Sequence, residues 1–387
     1  MTRSFILALA CFSAIAYGDD AGVKVPEIPF ESVPDFLKLP PNLYLGEASG
    51  VAVNSKKHVF VFSRGNTTGP AYAAAAAQIL EFGPDGTYLR EIGRNLYAWS
   101  FAHAIRFDKN DNLWAVDKGS DMIIEFNPAG RVMMVFGRKK EASDDGAEAW
   151  KRVNPPRPAV NGQFRQPTDV TWDPQGDIFI SDGYINSRVA KFDKNGDWVK
   201  QWGTPGSGQG EFNTPHSIAS DAEGNIYVAD RGNRRIQVFN SDGGFLREIM
   251  IDVPVPPVVH MWMGNAPAPQ PPSTVGAAPP NGTMQPGAPW AICISPGPTQ
   301  YLFSADAYPG RIYKLTLDGK VVGVLGSMGH QLKQFGWVHE MACPSENEIY
   351  TAEILNWRVQ KLILNPAPHR SKTTQVPKTT QTPKKSD

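Results

Sequence analysis

Short apolar runs alternate along the chain with clusters of turn-forming residues, and the alternation repeats. It is clearest over residues 209–249, QGEFNTPHSIASDAEGNIYVADRGNRRIQVFNSDGGFLREI, where HSIAS, NIYVAD, RIQVF and FLREI are separated by DAEGN, RGN and NSDGG. Runs of this length that alternate or are wholly apolar suit strands buried on both faces. Asp, Asn and Gly supply the positive φ and side-chain turns that reverse the chain between them. Each unit is therefore predicted to be a four-stranded antiparallel sheet. One such sheet cannot bury both faces by itself, so copies must stack.

The same frame recurs over residues 43–95, 96–139, 164–206 and 287–329, and a sixth copy, FGWVHEMACPSENEIYTAEILNWRVQKLIL, stops after its third strand. The missing strand has a candidate donor in PFESVPDFLKLPPNLYLG, ahead of the first repeat. The predicted fold is an all-β, six-bladed β-propeller over residues 29–364, closed by residues 29–40 pairing in the last blade. Two stretches break the frame: a charged insertion, KKEASDDGAEAWKRVNPPRPAVNG, and a proline-rich loop over residues 253–287 that suits neither sheet nor helix.

The ends depart from the pattern. Residues 1–18 combine an early Arg3, an apolar run from Phe5 to Ala16 and small residues before an acidic pair, which reads as a cleaved signal peptide too short to anchor the chain. A lipid-modified Cys11 is the weaker alternative. The expected destination is secreted or periplasmic. Residues 366–387 lack apolar side chains and are expected to form a disordered basic tail. The two cysteines beyond the leader, Cys293 and Cys343, are compatible with one disulfide or with two buried thiols. Basic and acidic residues balance at 38 each, so no net charge draws the chain to nucleic acid or an anionic membrane. A monomer is expected.

Histidine placement adds chemistry. The second strands of repeats two to six end in an acid: Asp117, Asp182, Asp230, Asp306 and Glu353. Fourteen residues earlier stand His103 in repeat two, His216 in repeat four and His339 in repeat six, out of seven histidines in the chain. The matching positions in repeats one, three and five are Ser49, Thr168 and Ile292. Alternate blades lie about 120° apart, so three imidazoles would converge on the channel with one face open, as at a catalytic zinc. A histidine that merely satisfies polar groups at a channel mouth is the usual reading for one residue, but not for three in phase. His58, His260, His330 and His369 fall outside the phase and are assigned nothing.

YVADRGNRRIQVF and FISDGYINSRVAKF resemble the NHL repeat, and with the histidines and the SDGY-x-NSR stretch they resemble the peptidyl-α-hydroxyglycine α-amidating lyase family. The likeness covers most of residues 45–364. It implies a zinc held by His103, His216 and His339, an essential tyrosine at Tyr184 and an essential arginine at Arg64 in the RG pair after the second strand of repeat one. It also implies a channel calcium on Val51, Ile105 and Glu340, with Glu where the family has Asp. The implied reaction breaks the N–C bond of a peptide ending in α-hydroxyglycine, releasing peptide amide and glyoxylate without a redox cofactor. Zinc would acidify the hydroxyl, Tyr184 take a proton and Arg64 hold the carboxylate. Read from position alone, Arg64 and Tyr184 lie in loops beside the channel mouth, where a surface arginine and a rim tyrosine are the more natural reading, and it is the resemblance that reverses it. Ile185 stands where animal members have a disulfide cysteine, and Trp337 where they have a methionine near the site. No oxygenase domain is expected ahead of the propeller, so another enzyme would supply the substrate. The competing readings are a propeller that binds a protein or glycan without chemistry, and a calcium-dependent lactonase, which three histidines suit poorly.

Overall fold

A computed structural model describes residues 25–65, 77–140, 150–256 and 282–367. The leader, most of the proline-rich loop and most of the basic tail lie outside the described residues. Six four-stranded antiparallel sheets form the blades of a propeller, five with their strands in chain order and the sixth with an outer strand from the N-terminal segment. Their first strands are Ala48–Val53, Ala102–Phe107, Asp169–Trp172, Pro215–Ser220, Ala291–Ile294 and Val338–Ser345. These first strands touch in sequence and the sixth touches the first, which closes the ring. Described residues include no α-helix, and no helix long and apolar enough to cross a membrane.

The core is divided among the six gaps between blades. Phe62, Trp99, Ile105 and Phe126 pack between blades one and two, and Phe179, Phe212, Ile218 and Phe239 between blades three and four. Equivalent clusters fill the other four gaps. Apolar burial on both faces of each sheet is what second strands apolar up to their last residue require, VFVFS and IYVAD among them.

Closure occurs where expected. Phe30–Ser32 pairs antiparallel with Leu362–Leu364 and supplies the outer strand of blade six. The same segment reaches both neighbours: Ile28 N donates to Val324 O of blade five at 2.8 Å, and Lys38 N to Gly86 O of blade one at 2.8 Å. Cys293 of blade five and Cys343 of blade six form a disulfide across a separation of 50 residues. Closing a loop of that length stabilises a fold by on the order of 2–4 kcal/mol. The double variant Cys293→Ser/Cys343→Ser should therefore lose that much stability in urea denaturation, and an unchanged midpoint would show that the pairing of Phe30–Ser32 secures the closure without it.

The acid that ends the second strand in blades two, three, four and six is a clamp. Asp230 accepts from Asn213 N at 2.7 Å, Asn233 Nδ2 at 2.8 Å and Arg235 Nε at 2.9 Å. Asp182 holds Arg165 N, Asn186 and Arg188, and Glu353 holds Gly336 N, Asn356 and Arg358, in the same way. Charge-assisted bonds fix the connection entering the blade. In blades four and six the held N–H lies three residues before a histidine, so the acid used to align the repeats also positions the channel residue.

Candidate metal centre and active site

His103, His216 and His339 converge in the channel, buried, with ring centroids 4.6–4.9 Å apart. Two local features aim them inward. The pairing of each first strand shifts register across the histidine, between Ala102 and Ala104, Pro215 and Ser217, and Val338 and Glu340. Such bulges redirect a side chain that regular pleating would place elsewhere. Thr214 and Trp337, two residues before His216 and His339, also hold φ of 61° and 65°. Left-handed backbone at non-glycine residues is strain kept where the surroundings enforce it.

The intervening blades orient the rings. Nδ1 of His103 lies 2.6 Å from Thr168 O, that of His216 2.7 Å from Trp290 O, and that of His339 2.8 Å from Ser49 O. A carbonyl can only accept, so each Nδ1 carries the proton and each Nε2 keeps its lone pair. Burial, then neighbouring positive groups, hold all three well below the usual imidazole range, and they are neutral. Nε2 of His216 is buried without a hydrogen-bond partner, an open acceptor that a cation would satisfy. One ligand atom from each ring lies within 4.8 Å of the others. Zinc bonds of 2.0–2.1 Å to three such nitrogens need separations of about 3.4 Å, a modest contraction. The residues fit the ion.

Tyr184 stands over this set, its hydroxyl 3.4 Å from His103 Nε2. Gly183 allows the approach: a Cβ there would lie 1.8 Å from Pro215 O, the residue before His216. Gly183→Ala must therefore push the Tyr184 loop off blade four. A fall in turnover with a loss of about 1–3 kcal/mol in stability is expected, and wild-type values for both would discount the contact. Burial raises the Tyr184 phenol, but the charges of Arg231, Lys118 and Arg64 outweigh it, leaving the group below the usual phenol range.

Arg64 lies at the same mouth. Its Nη1 pairs with Glu47 Oε2 at 2.8 Å, its Nε donates to Ala102 O, and its guanidinium stacks 3.9 Å from the Phe101 ring centroid. Two further cations join it that were not singled out from the sequence. Lys118 Nζ sits 4.0 Å from the centroid of the Tyr184 ring, and buried Arg231 lies 3.8 Å over Trp290. Arg231 bonds Tyr184, while its Nε and Nη1 have no partner. A signal for both was present: Arg64, Lys118 and Arg231 each directly follow the last residue of a second strand, and Tyr184 follows by two. Blades five and six instead contribute an apolar wall of Met284, Trp290, Ala307 and Trp337. A groove of about 410 Å³, lined in part by Arg152, Ile185, Phe212 and Asn213, borders the Tyr184 loop.

Val51, Ile105 and Glu340 also meet in the channel. Glu340 Oε2 accepts from Val51 N and Ile105 N, both at 3.1 Å.

The family profile for a 6-bladed beta-propeller matches residues 164–265. Peptidyl-alpha-hydroxyglycine alpha-amidating lyase 1 of Drosophila melanogaster is 25% identical over 358 residues, 85% of this chain and 58% of the fly protein. This chain is a homologue of that lyase. The peptidyl-glycine alpha-amidating monooxygenase of Mus musculus is 32% identical over 235 residues, 54% of this chain and 22% of the mouse protein. NHL repeat-containing protein 3 of Homo sapiens is 31% identical over 218 residues, 53% of this chain and 55% of the human one. The chain thus spans from about a fifth to somewhat over half of the relatives it matches.

Proposed function

We propose that this protein is a zinc-dependent lyase that cleaves peptidyl-α-hydroxyglycine, or a related α-hydroxy compound, into an amide and glyoxylate. The observation that carries the reading is three neutral imidazoles, each tied through Nδ1 to a carbonyl, converging beside Tyr184 and the unspent donors of Arg231. Homology to a lyase of that name supports it. We place the activity outside the cytoplasm, which the Cys293–Cys343 disulfide supports.

A zinc ion held by His103, His216 and His339 would supply a Lewis acid with an open position next to Tyr184. Arg231, with Arg64 beside it, pairs with the terminal carboxylate of the substrate and turns its α-carbon toward the histidines. Tyr184 takes the hydroxyl proton. The electron pair of that O–H bond becomes the second bond of the aldehyde as the C–N bond breaks, and the departing amide nitrogen receives a proton. The products balance as a primary amide and glyoxylate. The apolar wall and the bordering groove receive the side chain and backbone preceding the scissile bond.

Metal analysis of the purified protein together with glyoxylate release from a hydroxyglycine-terminated peptide tests the proposal. One equivalent of zinc with turnover is expected. His216→Ala should lose most of the metal and the turnover together, and chelation should abolish turnover reversibly. Zinc without turnover on any such peptide would remove the substrate assignment. The identity to an NHL-repeat protein keeps a non-catalytic binding role as the alternative, and that role predicts neither metal nor turnover.

A further inference from the structure

One layer below the imidazoles, a guanidinium occupies the channel axis. Arg106 of blade two forks onto Asp169 of blade three, with Nε 3.0 Å from Oδ1 and Nη2 2.6 Å from Oδ2. Its Nη1 donates to Met341 O of blade six at 3.0 Å, and Nη2 also lies 3.3 Å from Ser217 Oγ of blade four and from Ile292 O of blade five. Its Nε is 3.2 Å from Glu340 Oε1, a charge contact whose alignment falls short of a hydrogen bond. Glu340 in turn accepts from Val51 N of blade one and Ile105 N of blade two. One cation and two carboxylates therefore tie the first strands of all six blades together. Gly50 makes the room, since a Cβ there would stand 2.6 Å from Glu340 Oε2.

The implied calcium does not fit this arrangement. Calcium takes six to eight oxygen ligands, whereas both Asp169 oxygens, Glu340 Oε1, Met341 O and Ile292 O already face the guanidinium. A dication bound to Glu340 would also lie against a fixed positive charge in a region of low dielectric. We propose that Arg106 is the internal cation of this propeller, a guanidinium that ties the blades together where the family resemblance places a channel calcium. The proposal is independent of the lyase reading, because it concerns what holds the blades and not what the mouth binds.

Thermal unfolding and calcium titration test it. The wild-type midpoint should be the same in EGTA and in millimolar calcium, and calorimetry should detect no stoichiometric calcium binding. Arg106→Ala in EGTA should melt lower by on the order of 5 °C. Calcium should then recover part of the loss, because Glu340, Asp169 and two carbonyls become free to ligate it. Should Arg106→Ala not fold, Arg106→Lys, which keeps the charge and loses the fork, should show the same lowered midpoint and calcium response in smaller measure. A wild-type chain that binds one equivalent of calcium with a rising midpoint overturns the proposal. So does an arginine variant that melts with the wild type, or one that folds and gains nothing from calcium.

Discussion

Tyr184→Phe is expected to lower glyoxylate release by about a hundred- to ten-thousand-fold while leaving metal content and thermal midpoint near wild type. The hydroxyl touches His103 Nε2 and the Arg231 side chain, and the ring contacts persist in phenylalanine, so little packing is lost. The expected pH dependence has a definite sign. A base works deprotonated, so turnover rises as pH climbs through the tyrosine pKa. Burial alone would move that limb up, but Arg231, Lys118 and Arg64 hold it below the ordinary value of 10.0. The wild type should show a rising limb on the acid side of pH 10, and any residual turnover of Tyr184→Phe should lack it. Unchanged turnover in the variant would remove the general base and leave the metal centre untouched, so the two assignments fail separately.

Glu340→Ala is expected to be the most destabilising of the substitutions considered, by about 3–5 kcal/mol in chemical denaturation. The loss has two parts. Arg106 would keep Asp169 but lose its second carboxylate, and the Val51 and Ile105 N–H groups would be buried without an acceptor. Glu340→Gln retains an oxygen for the two N–H groups and not the charge, so its loss should be smaller. The loss in Glu340→Gln measures the ion pair, and the further loss in Glu340→Ala measures the acceptor for the Val51 and Ile105 N–H groups. Because His339 directly precedes Glu340, metal affinity should weaken in both. A midpoint for Glu340→Ala within error of wild type would show that the blades hold together without this hub.

The propeller was legible because its information is periodic. Six copies of one apolar pattern, five of them with an acid closing the second strand, specify six similar sheets. An incomplete sixth copy beside an unassigned leading segment implies closure by that segment, and Phe30–Ser32 supplies it. The histidine phase was legible for the same reason, since residues at one position of alternate repeats must face one another across the axis. Lys118 and Arg231 obeyed an equally regular rule, directly following a second strand, yet lysine and arginine after a strand are ordinary surface residues in a sequence. Only a folded mouth distinguishes a buried Arg231 with two idle donors from an arginine in water.

The amino-acid sequence by itself determined the number of blades, their strand order and which three imidazoles share the channel, because these follow from repetition and spacing along one dimension. Tertiary structure alone decided what the channel's centre is made of. Asp169, Ser217 and Glu340 each follow the aligned position of their repeat by one residue and Arg106 by three, but that spacing does not say which of them pair, and Cys293 and Cys343 were two thiols with an open fate until closure set their Cα atoms 6.1 Å apart. Ring closure converts separations of tens or hundreds of residues into a few ångströms, and an ion pair or a disulfide depends on the latter distance.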